Sequence, residues 1–357
     1  MRTDVTRFFT NGPADIASLA EAIASGEICP KDIVAIIGKT EGNGGINDFT
    51  RNLAIMALNH LLAPFLECSP ETVEEKIVLS FSGGSEGVTA PHLLVFTVSG
   101  TAPAKKYPTK RLALATGFTR PFMADEVGRM PMILETARTV KSLMQKLQVA
   151  AEDVHLVQIK GAIPPVSLPH PNLRCDMAWS RGASALGVAL ALGEVGESQL
   201  SDAVINSDWS LFSTRASVSA KPLLSRSEVV LFANSDYWEG ELFIAHGVMN
   251  DIIDIPGIYP VLEQLGLKPK NGQLSTDDSA KIVGVFAKSD ADPGNHIRQR
   301  RHTMWTDADI SDMRYSRCVV AAQLAGVLGD TGVYVSTRAE HQGPQGGGPV
   351  AIIGFAP

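Results

Sequence analysis

The stretch that decides the fold is "IVAIIGK" at residues 33–39, an apolar, strand-like run that ends in a lysine. The same pattern returns as "VHLVQIK" at residues 154–160 and as "IVGVFAK" at residues 282–288. Short runs of β-branched and apolar residues are typical of buried strands. A pattern that occurs three times along the chain predicts three structurally similar units.

Two further patterns follow each lysine in the same order. An arginine preceded by a hydroxyl residue opens a helical stretch rich in small residues, and a serine then breaks a later strand. The arginines are Arg51, Arg181 and Arg317, and the serines are Ser82, Ser219 and Ser336. A further apolar strand follows each serine. The order lysine, arginine, serine therefore occurs three times, with loops of unequal length.

This alternation of helices and strands predicts an α+β fold of three units, at residues 1–105, 106–249 and 250–357. The segment "VSGTAPAKKYPTK" at residues 98–110 is the predicted first linker. The segment "HGVMNDIIDIPG" at residues 246–257 is expected to lead into the third unit.

Composition excludes several classes of protein. The net charge of −7, without a basic run, argues against nucleic-acid binding. We find no run of about 18 apolar residues that could span a membrane, and the first residues lack the apolar core of a signal peptide. The four cysteines are far apart, so we predict buried free thiols in a reducing cytoplasm.

The glycines that follow Lys39 raise the question of a nucleotide phosphate loop. That motif requires a glycine five residues before Gly38, where this chain has Ile33. The glycines of this segment come after the lysine, so their amides could not cradle phosphates ahead of it. A kinase-like function is therefore disfavoured, whereas a plain solvated lysine at a strand end remains an alternative.

Lysine beside serine suggests a different chemistry. A serine hydroxyl needs a neighbouring base, and lysine can serve when burial or a nearby cation lowers its pKa. The arginines would supply that cation and grip carbonyl oxygens. The residues after the serines would add backbone amides to an oxyanion site, and these are Gly83, Ala220 and Thr337. Three such sites around a pseudo-threefold axis would face one small ring with three carbonyls.

Each residue alone also has an ordinary explanation. The lysines could be solvated strand ends, the arginines could form ion pairs at helix ends, and the serines could be turn residues. The hypothesis depends on their joint recurrence in one order.

Several segments resemble the cyanuric acid hydrolase and barbiturase family of ring-opening amidohydrolases. They are "GKTEGNGGINDFTR", "SGGSEGVTAPH", "WSRGASALGVALALGE", "FIAHGVMNDIID", "RHTMWTDADI" and "AEHQGPQGGGPVAII". The resemblance covers nearly the whole chain. It implies three similar domains around a pseudo-threefold axis, a central active site and a homotetramer.

The resemblance also implies roles for individual residues. The Lys39–Ser82, Lys160–Ser219 and Lys288–Ser336 pairs correspond to three Ser-Lys dyads, and the three arginines would hold the substrate. Lys160 would deprotonate Ser219, which would attack a ring carbonyl, while the other dyads polarise the remaining carbonyls. Ring opening of cyanuric acid would give carboxybiuret, which then loses carbon dioxide.

No cofactor is implied for catalysis, but the family resemblance implies a structural calcium or magnesium ion in the third domain. Its ligands here would be Asp290, Ala339, Gln342, Gly343 and Pro344. Asp290 stands where the family has glutamate. His341 suggests zinc less well, because no second histidine lies at ligand spacing.

Other departures from the family pattern lie next to the dyads. They are Gly45, Lys221, Thr337 and the segment "GAIPPVSLPHPNLRCDMAW" at residues 161–179. The expected substrate is a small cyclic ureide, with cyanuric acid first and barbituric acid or a related ring as the alternative. A non-catalytic binding protein with the same fold is the alternative of another class.

Overall fold

The computed structural model describes residues 1–45, 47–101, 106–166 and 172–357. Within them the chain forms three four-stranded sheets with the same strand order. Each sheet has an edge strand, then the last strand of the unit, then the lysine strand and the serine strand. The predicted α+β fold of three similar units is confirmed. Parts of the predicted linker and of the 161–179 segment lie outside the described residues.

Each unit combines its sheet with two or more helices. The first contains β1 (Arg2–Phe9), α1 (Ala17–Ala24), β2 (Ile33–Thr40), α2 (Thr50–Leu66), β3 (Val78–Gly83) and β4 (His92–Ser99). The second contains β5 (Arg111–Phe118), α3 (Met130–Leu147), β6 (Val154–Ile163), α4 (Met177–Ala191), β7 (Ala216–Pro222) and β8 (Glu228–Ser235). The third contains β9 (Leu242–Met249), α5 (Tyr259–Gln264), α6 (Thr276–Ser279), β10 (Ile282–Ser289), β11 (His296–Ile297), β12 (Arg300–Arg301), α7 (Asp312–Leu328), β13 (Tyr334–Thr337) and β14 (Gly348–Phe355).

The predicted boundary between the second and third units needs a correction. Strand β9 lies before residue 250, yet it pairs antiparallel with β14 along its whole length, from Leu242 opposite Phe355 to Met249 opposite Gly348. The third sheet therefore begins at Leu242. The sequence boundary missed this because the edge strand of a unit carries none of the three repeated residues.

The lysine and serine strands of each unit run parallel, and a helix connects them, as a parallel crossover requires. Alternate residues of a strand face opposite sides of the sheet. In β2, Ile36 packs with the helices on the outer side, whereas Ile37 belongs to the core between the sheets. Lys39 is two residues from Ile37, so it faces the same central side.

The inner faces of the three sheets share one core, and aromatic rings link them across it. Phe96 of the first sheet lies 5.2 Å from Phe232 of the second, measured between ring centroids. Phe232 lies 5.9 Å from Phe286 of the third sheet, and Phe286 lies 5.6 Å from Tyr334. The three units therefore form one body around a central axis.

The cysteines are free, as predicted, but they are not buried. Cys29 is exposed, and Cys68, Cys175 and Cys318 are half-buried. Spacing along the sequence shows that no CxxC motif is present, but it does not report burial. Among the described residues, every helix is too short or too polar to cross a bilayer.

The central aromatic chain generates a stability prediction. Phe232→Ala should lower the free energy of unfolding by about 3–5 kcal/mol, because the lost ring contacts two other sheets in a packed core. Denaturant titration followed by circular dichroism measures this change. Phe49→Ala is the control, since Phe49 is 70% exposed. Equal effects of the two substitutions would contradict the central role of Phe232.

Candidate active site

The three lysines and three serines stand opposite each other in the sheets. In every unit, the register of the two parallel strands pairs the lysine directly with the serine. The pairs are Lys39 with Ser82, Lys160 with Ser219, and Lys288 with Ser336. The sequence repeat is thus one structural position that occurs three times.

All three lysine side chains are buried. Their exposed fractions are 1% for Lys39, 3% for Lys160 and 0% for Lys288. Burial on this scale is rare for lysine, because the ammonium group loses its hydration. The alternative of solvated lysines at strand ends is therefore wrong.

Each buried lysine donates a hydrogen bond to a main-chain carbonyl of another unit. The acceptor is always the residue that precedes one of the serines. The bonds run from Lys39 Nζ to Val335 O (2.6 Å), from Lys160 Nζ to Phe81 O (2.7 Å) and from Lys288 Nζ to Val218 O (2.9 Å). The first unit donates to the third, the third to the second, and the second to the first. This closed ring of hydrogen bonds brings the three lysines together at the axis.

The second lysine–serine pair differs from the other two. Lys39 Nζ donates to Ser82 Oγ at 3.3 Å, and Lys288 Nζ donates to Ser336 Oγ at 3.2 Å. Ser219 Oγ is buried without a hydrogen-bond partner among the described residues. The Ser219 hydroxyl is therefore free to interact with a bound molecule.

Burial lowers the pKa of every lysine in the ring. For Lys160 and Lys288, burial and then the charge of one arginine lower the pKa from its usual 10.5 to about 7. For Lys39, burial and then Arg317 hold the pKa well below 10.5. Lysines in this range are partly neutral at physiological pH and can accept a proton.

The arginine that acts on each lysine comes from another unit. Arg317 of the third unit lowers the pKa of Lys39, Arg51 of the first lowers that of Lys160, and Arg181 of the second lowers that of Lys288. The arginines thus follow the same cyclic order as the hydrogen bonds. Each lysine environment combines residues of two units.

Two acidic residues of the site were not predicted. Glu340 holds Arg181 through two hydrogen bonds of 2.7 Å, and Glu86 pairs with Arg317 Nε at 3.0 Å. Both glutamates follow a repeat serine by four residues. That recurrence was present in two of the three repeats and could have identified them.

The second repeat breaks this acidic pattern. The residue four positions after Ser219 is Leu223, which is 79% exposed. Arg51, which corresponds to Arg181 and Arg317, donates to Gly45 O at 2.6 Å and lies 3.8 Å from a carboxylate oxygen of Asp48. Among the described residues, this carboxylate contact of Arg51 is longer than the 2.7 Å contact of Arg181 and the 3.0 Å contact of Arg317, so its charge is the least neutralised of the three.

The glycine-rich loop after Lys39 makes room for an arginine instead of cradling a phosphate. Gly44 and Gly84 both have positive φ, at 71° and 91°. A Cβ atom at Gly84 would lie 2.0 Å from Arg317 Nη1, and one at Gly44 would lie 2.8 Å from it. Arg317 Nη1 donates to Gly83 O at 2.5 Å in this space.

These residues surround a cavity of about 510 Å³ at the axis, which we name the central cavity. All three arginines, all three serines and the residues that follow the serines line it. Lys160 also lines the central cavity, whereas Lys39 and Lys288 lie outside its lining. The Lys160–Ser219 pair therefore presents both of its groups to a bound molecule.

The predicted metal loop lies next to this cavity. Asp290 follows β10 and is half-buried, and desolvation and then the charge of Glu340 raise its pKa to about 7. Gln342 Oε1 accepts a hydrogen bond from Val218 N at 2.6 Å, so this side-chain oxygen supports β7. The carbonyls of Ala339 and Pro344 each accept one turn hydrogen bond, at 2.9 Å. Within the described ranges, no three His, Cys, Asp or Glu side chains form a metal cluster.

His341 has a structural role in this loop. Its Nδ1 donates to Leu211 O at 2.6 Å, and its Nε2 accepts from the Asn206 amide at 2.7 Å. Its ring stacks on Trp209 with a centroid distance of 5.2 Å. Both ring nitrogens are therefore already used.

Comparison with known proteins places these features in a family. Residues 4–354 match the family model described as amidohydrolase ring-opening protein. A cyanuric acid amidohydrolase of Enterobacter cloacae is 42% identical over 367 residues, which cover 99% of each chain.

Solved structures agree with the sequence match. One structure of a cyanuric acid hydrolase superposes with a TM-score of 0.90 at 41% identity and covers 99% of each chain. Another, from A. caulinodans, has a TM-score of 0.86 at 40% identity, with 99% of both chains covered.

The cyclic arrangement predicts that Arg51 controls the protonation of Lys160. Arg51→Gln should raise the pKa of Lys160, because it removes the positive charge that disfavours the ammonium form. NMR titration of ¹³Cε-labelled lysine, assigned with Lys160→Met, measures this pKa. Arg120→Gln removes a surface arginine that is paired with Glu126 at 2.6 Å, and it should change nothing. An unchanged Lys160 titration in Arg51→Gln would disprove the assignment.

Proposed function

The chain belongs to the family of ring-opening amidohydrolases, and we propose that it hydrolyses a ring amide bond of cyanuric acid, with Ser219 as nucleophile and Lys160 as its base. As a member of this family it is a hydrolase that cleaves C–N bonds in cyclic amides. The substrate and the roles of the two residues are our proposal.

One observation carries the choice of residues. Among the three register pairs, Lys160–Ser219 is the pair whose lysine and serine both line the central cavity. The Ser219 hydroxyl has no partner among the described residues, and Lys160 has a pKa of about 7. A free hydroxyl beside a partly neutral amine is the arrangement that nucleophilic catalysis needs.

The proposed reaction uses the lone pair of neutral Lys160. The bond from Lys160 Nζ to Phe81 O fixes the amine, so that its lone pair can accept the Ser219 proton as Oγ attacks a ring carbonyl. Collapse of the tetrahedral intermediate breaks the ring C–N bond, and Lys160 returns the proton to the leaving nitrogen. Water then hydrolyses the acyl-enzyme and frees Ser219, and cyanuric acid yields carboxybiuret.

The remaining residues suit the other two carbonyls of a symmetric ring. Ser82 and Ser336 line the central cavity, and each accepts a hydrogen bond from a buried lysine, so each can donate its own hydrogen to a carbonyl oxygen. Arg51 has the least neutralised guanidinium, which favours it for the oxygen that gains charge during attack. The amide of Ala220, directly after the nucleophile, is a candidate second donor.

The relatives and this symmetry support cyanuric acid as the substrate. Several relatives that match over the whole chain are cyanuric acid amidohydrolases, and another is a cyclic amide hydrolase. Cyanuric acid presents three equivalent carbonyls, which matches three lysine–serine pairs at one cavity. The homotetramer implied by the resemblance and the cytoplasmic location inferred from the cysteines stay predictions.

Turnover assays test this proposal. The purified protein should consume cyanuric acid faster than barbituric acid, followed by loss of ultraviolet absorbance. Ser219→Ala should reduce kcat by at least about a thousandfold yet retain binding by calorimetry, since the arginines and the other pairs remain. Ser82→Ala is the matched control and should lose less activity, because its hydroxyl would polarise a carbonyl without attacking it.

Three results would contradict the proposal. Preference for barbituric acid would overturn the substrate. Near-normal turnover by Ser219→Ala would overturn the nucleophile. Binding of cyanuric acid without any turnover by the unaltered protein would favour a binding protein with this fold.

We also propose that the loop after β13 holds a calcium or magnesium ion. The Asp290 carboxylate and the carbonyls of Ala339, Gln342, Gly343 and Pro344 are the hard oxygen donors that these ions prefer. The half-buried Asp290 lies close to Glu340, and a cation would compensate the negative charge of the two carboxylates. When bound, the ion would hold the loop that carries Glu340 and therefore Arg181.

Thermal unfolding tests the metal proposal. Treatment with EDTA should lower Tm, and added calcium or magnesium should restore it. Asp290→Asn should abolish this response, because the neutral amide is a poorer ligand, while the surface variant Asp309→Asn should keep it. The site would be excluded if the protein were purified without bound metal and its Tm did not change on addition of calcium or magnesium.

A further inference from the structure

A second cavity reaches Lys160 from the side. This lateral cleft of about 810 Å³ lies between α2 with residues 70–75 of the first unit and residues 221–228 of the second. Lys160, Arg51 and Phe81 line both the lateral cleft and the central cavity. The catalytic lysine therefore stands at the boundary between two cavities.

Glu228 faces Lys160 from the lateral cleft. It lies directly opposite Lys160 in the antiparallel pairing of β8 with β6, which places the two Cβ atoms about 4.5–5.5 Å apart on one face of the sheet. Glu228 lines the lateral cleft but is absent from the lining of the central cavity. It therefore lies on the far side of Lys160 from Ser219.

The Glu228 carboxyl group is buried, and its hydrogen bonding is incomplete within the described part of the chain. It is 2% exposed, and its Oε2 atom has no hydrogen-bond partner among the described residues. The charged groups that act on it are Lys221, Glu74, Lys160 and Arg226. Burial raises its pKa to about 7, against the lowering effect of Lys221. Burial therefore favours the neutral forms of both Glu228 and Lys160.

The other two repeats lack this arrangement. The residue opposite Lys39 is His92, which lines neither of the two cavities. In the third unit, the pairing of β10 with β14 ends at Ala287 and Val350, before Lys288 is reached. The lysine that has an acid opposite it, Lys160, thus belongs to the pair that we propose to react.

Amide hydrolysis gives such an acid a task. Water supplies a hydroxyl group to the carbonyl carbon and a hydrogen to the leaving nitrogen. The carboxyl group that forms on carboxybiuret ionises at neutral pH, so its formation releases one proton into the site. That proton has to leave a site in which the nearest base is Lys160.

We propose that Glu228 is a proton-relay residue, which accepts a proton from Lys160 and passes it to water in the lateral cleft. This inference rests on the proposed function of Lys160. The proton passes from Lys160 Nζ through one water molecule to a Glu228 oxygen, and from there to water of the cleft, which leaves Lys160 neutral for the next cycle. The Lys221–Glu74 ion pair, 2.7 Å long, crosses the cleft beside this route.

Chemical rescue tests the relay. Glu228→Gln should lower kcat about ten- to a hundredfold in a weakly buffering medium, with little change in KM. Imidazole, a small proton carrier, should restore kcat as its concentration rises. The rising limb of kcat/KM should also move to lower pH, because the Glu228 charge raises the pKa of Lys160.

Matched variants separate a relay from a structural role. His92→Gln changes the equivalent position of the first unit and should show no dependence on imidazole. If Glu228→Gln folds poorly by circular dichroism, Glu228→Asp keeps the acid and should show a smaller loss with the same rescue. A loss that imidazole does not restore, with an unchanged pH profile, would overturn the relay. Failure of the unaltered protein to open any ring would instead overturn the proposed function.

Discussion

The interaction on which the whole structure depends is the ring of hydrogen bonds from three buried lysines to three carbonyls of neighbouring units. Bringing three amines to one axis is unfavourable, because each loses its hydration and the charged forms repel one another. The fold offsets part of this cost with carbonyls at 2.6–2.9 Å, and the rest appears as lowered lysine pKa values. The same burial that destabilises the fold thus lowers the pKa values of the lysines, so that they can act as bases.

Departures from threefold symmetry matter as much as the symmetry itself. Glu86 and Glu340 neutralise two of the arginines, while Leu223 takes the corresponding place in the second repeat and leaves Arg51 with only a longer contact to Asp48. The second lysine also has an acid, Glu228, across the sheet. All these differences meet around Lys160 and Ser219. A symmetric scaffold therefore supplies three places to hold a ring, and local asymmetry selects one of them for chemistry.

The sequence predicted the strands and helices better than the contacts between them. A lysine that ends an apolar strand, and a serine within a later one, were enough to predict three units, whereas the pairing of Lys39 with Ser82 and its counterparts was implied by the family resemblance. The strand β9 was assigned to the wrong unit, because it carries none of the repeated residues. Glu86 and Glu340 each follow a repeat serine by four residues, and this spacing could have identified them in the sequence. Each arginine lowers the pKa of a lysine in another unit. This relation depends on packing around the axis, which spacing along the chain does not encode.

The cyclic order of the hydrogen bonds has a consequence for how the chain folds. Each unit has a hydrophobic core of its own, which would ordinarily allow it to form separately. Yet a unit on its own would bury a lysine whose acceptor carbonyl belongs to another unit. Partly assembled states with one or two units should therefore be penalised, because a buried amine would lack its acceptor. We expect the residues of the active site to couple the three cores during folding.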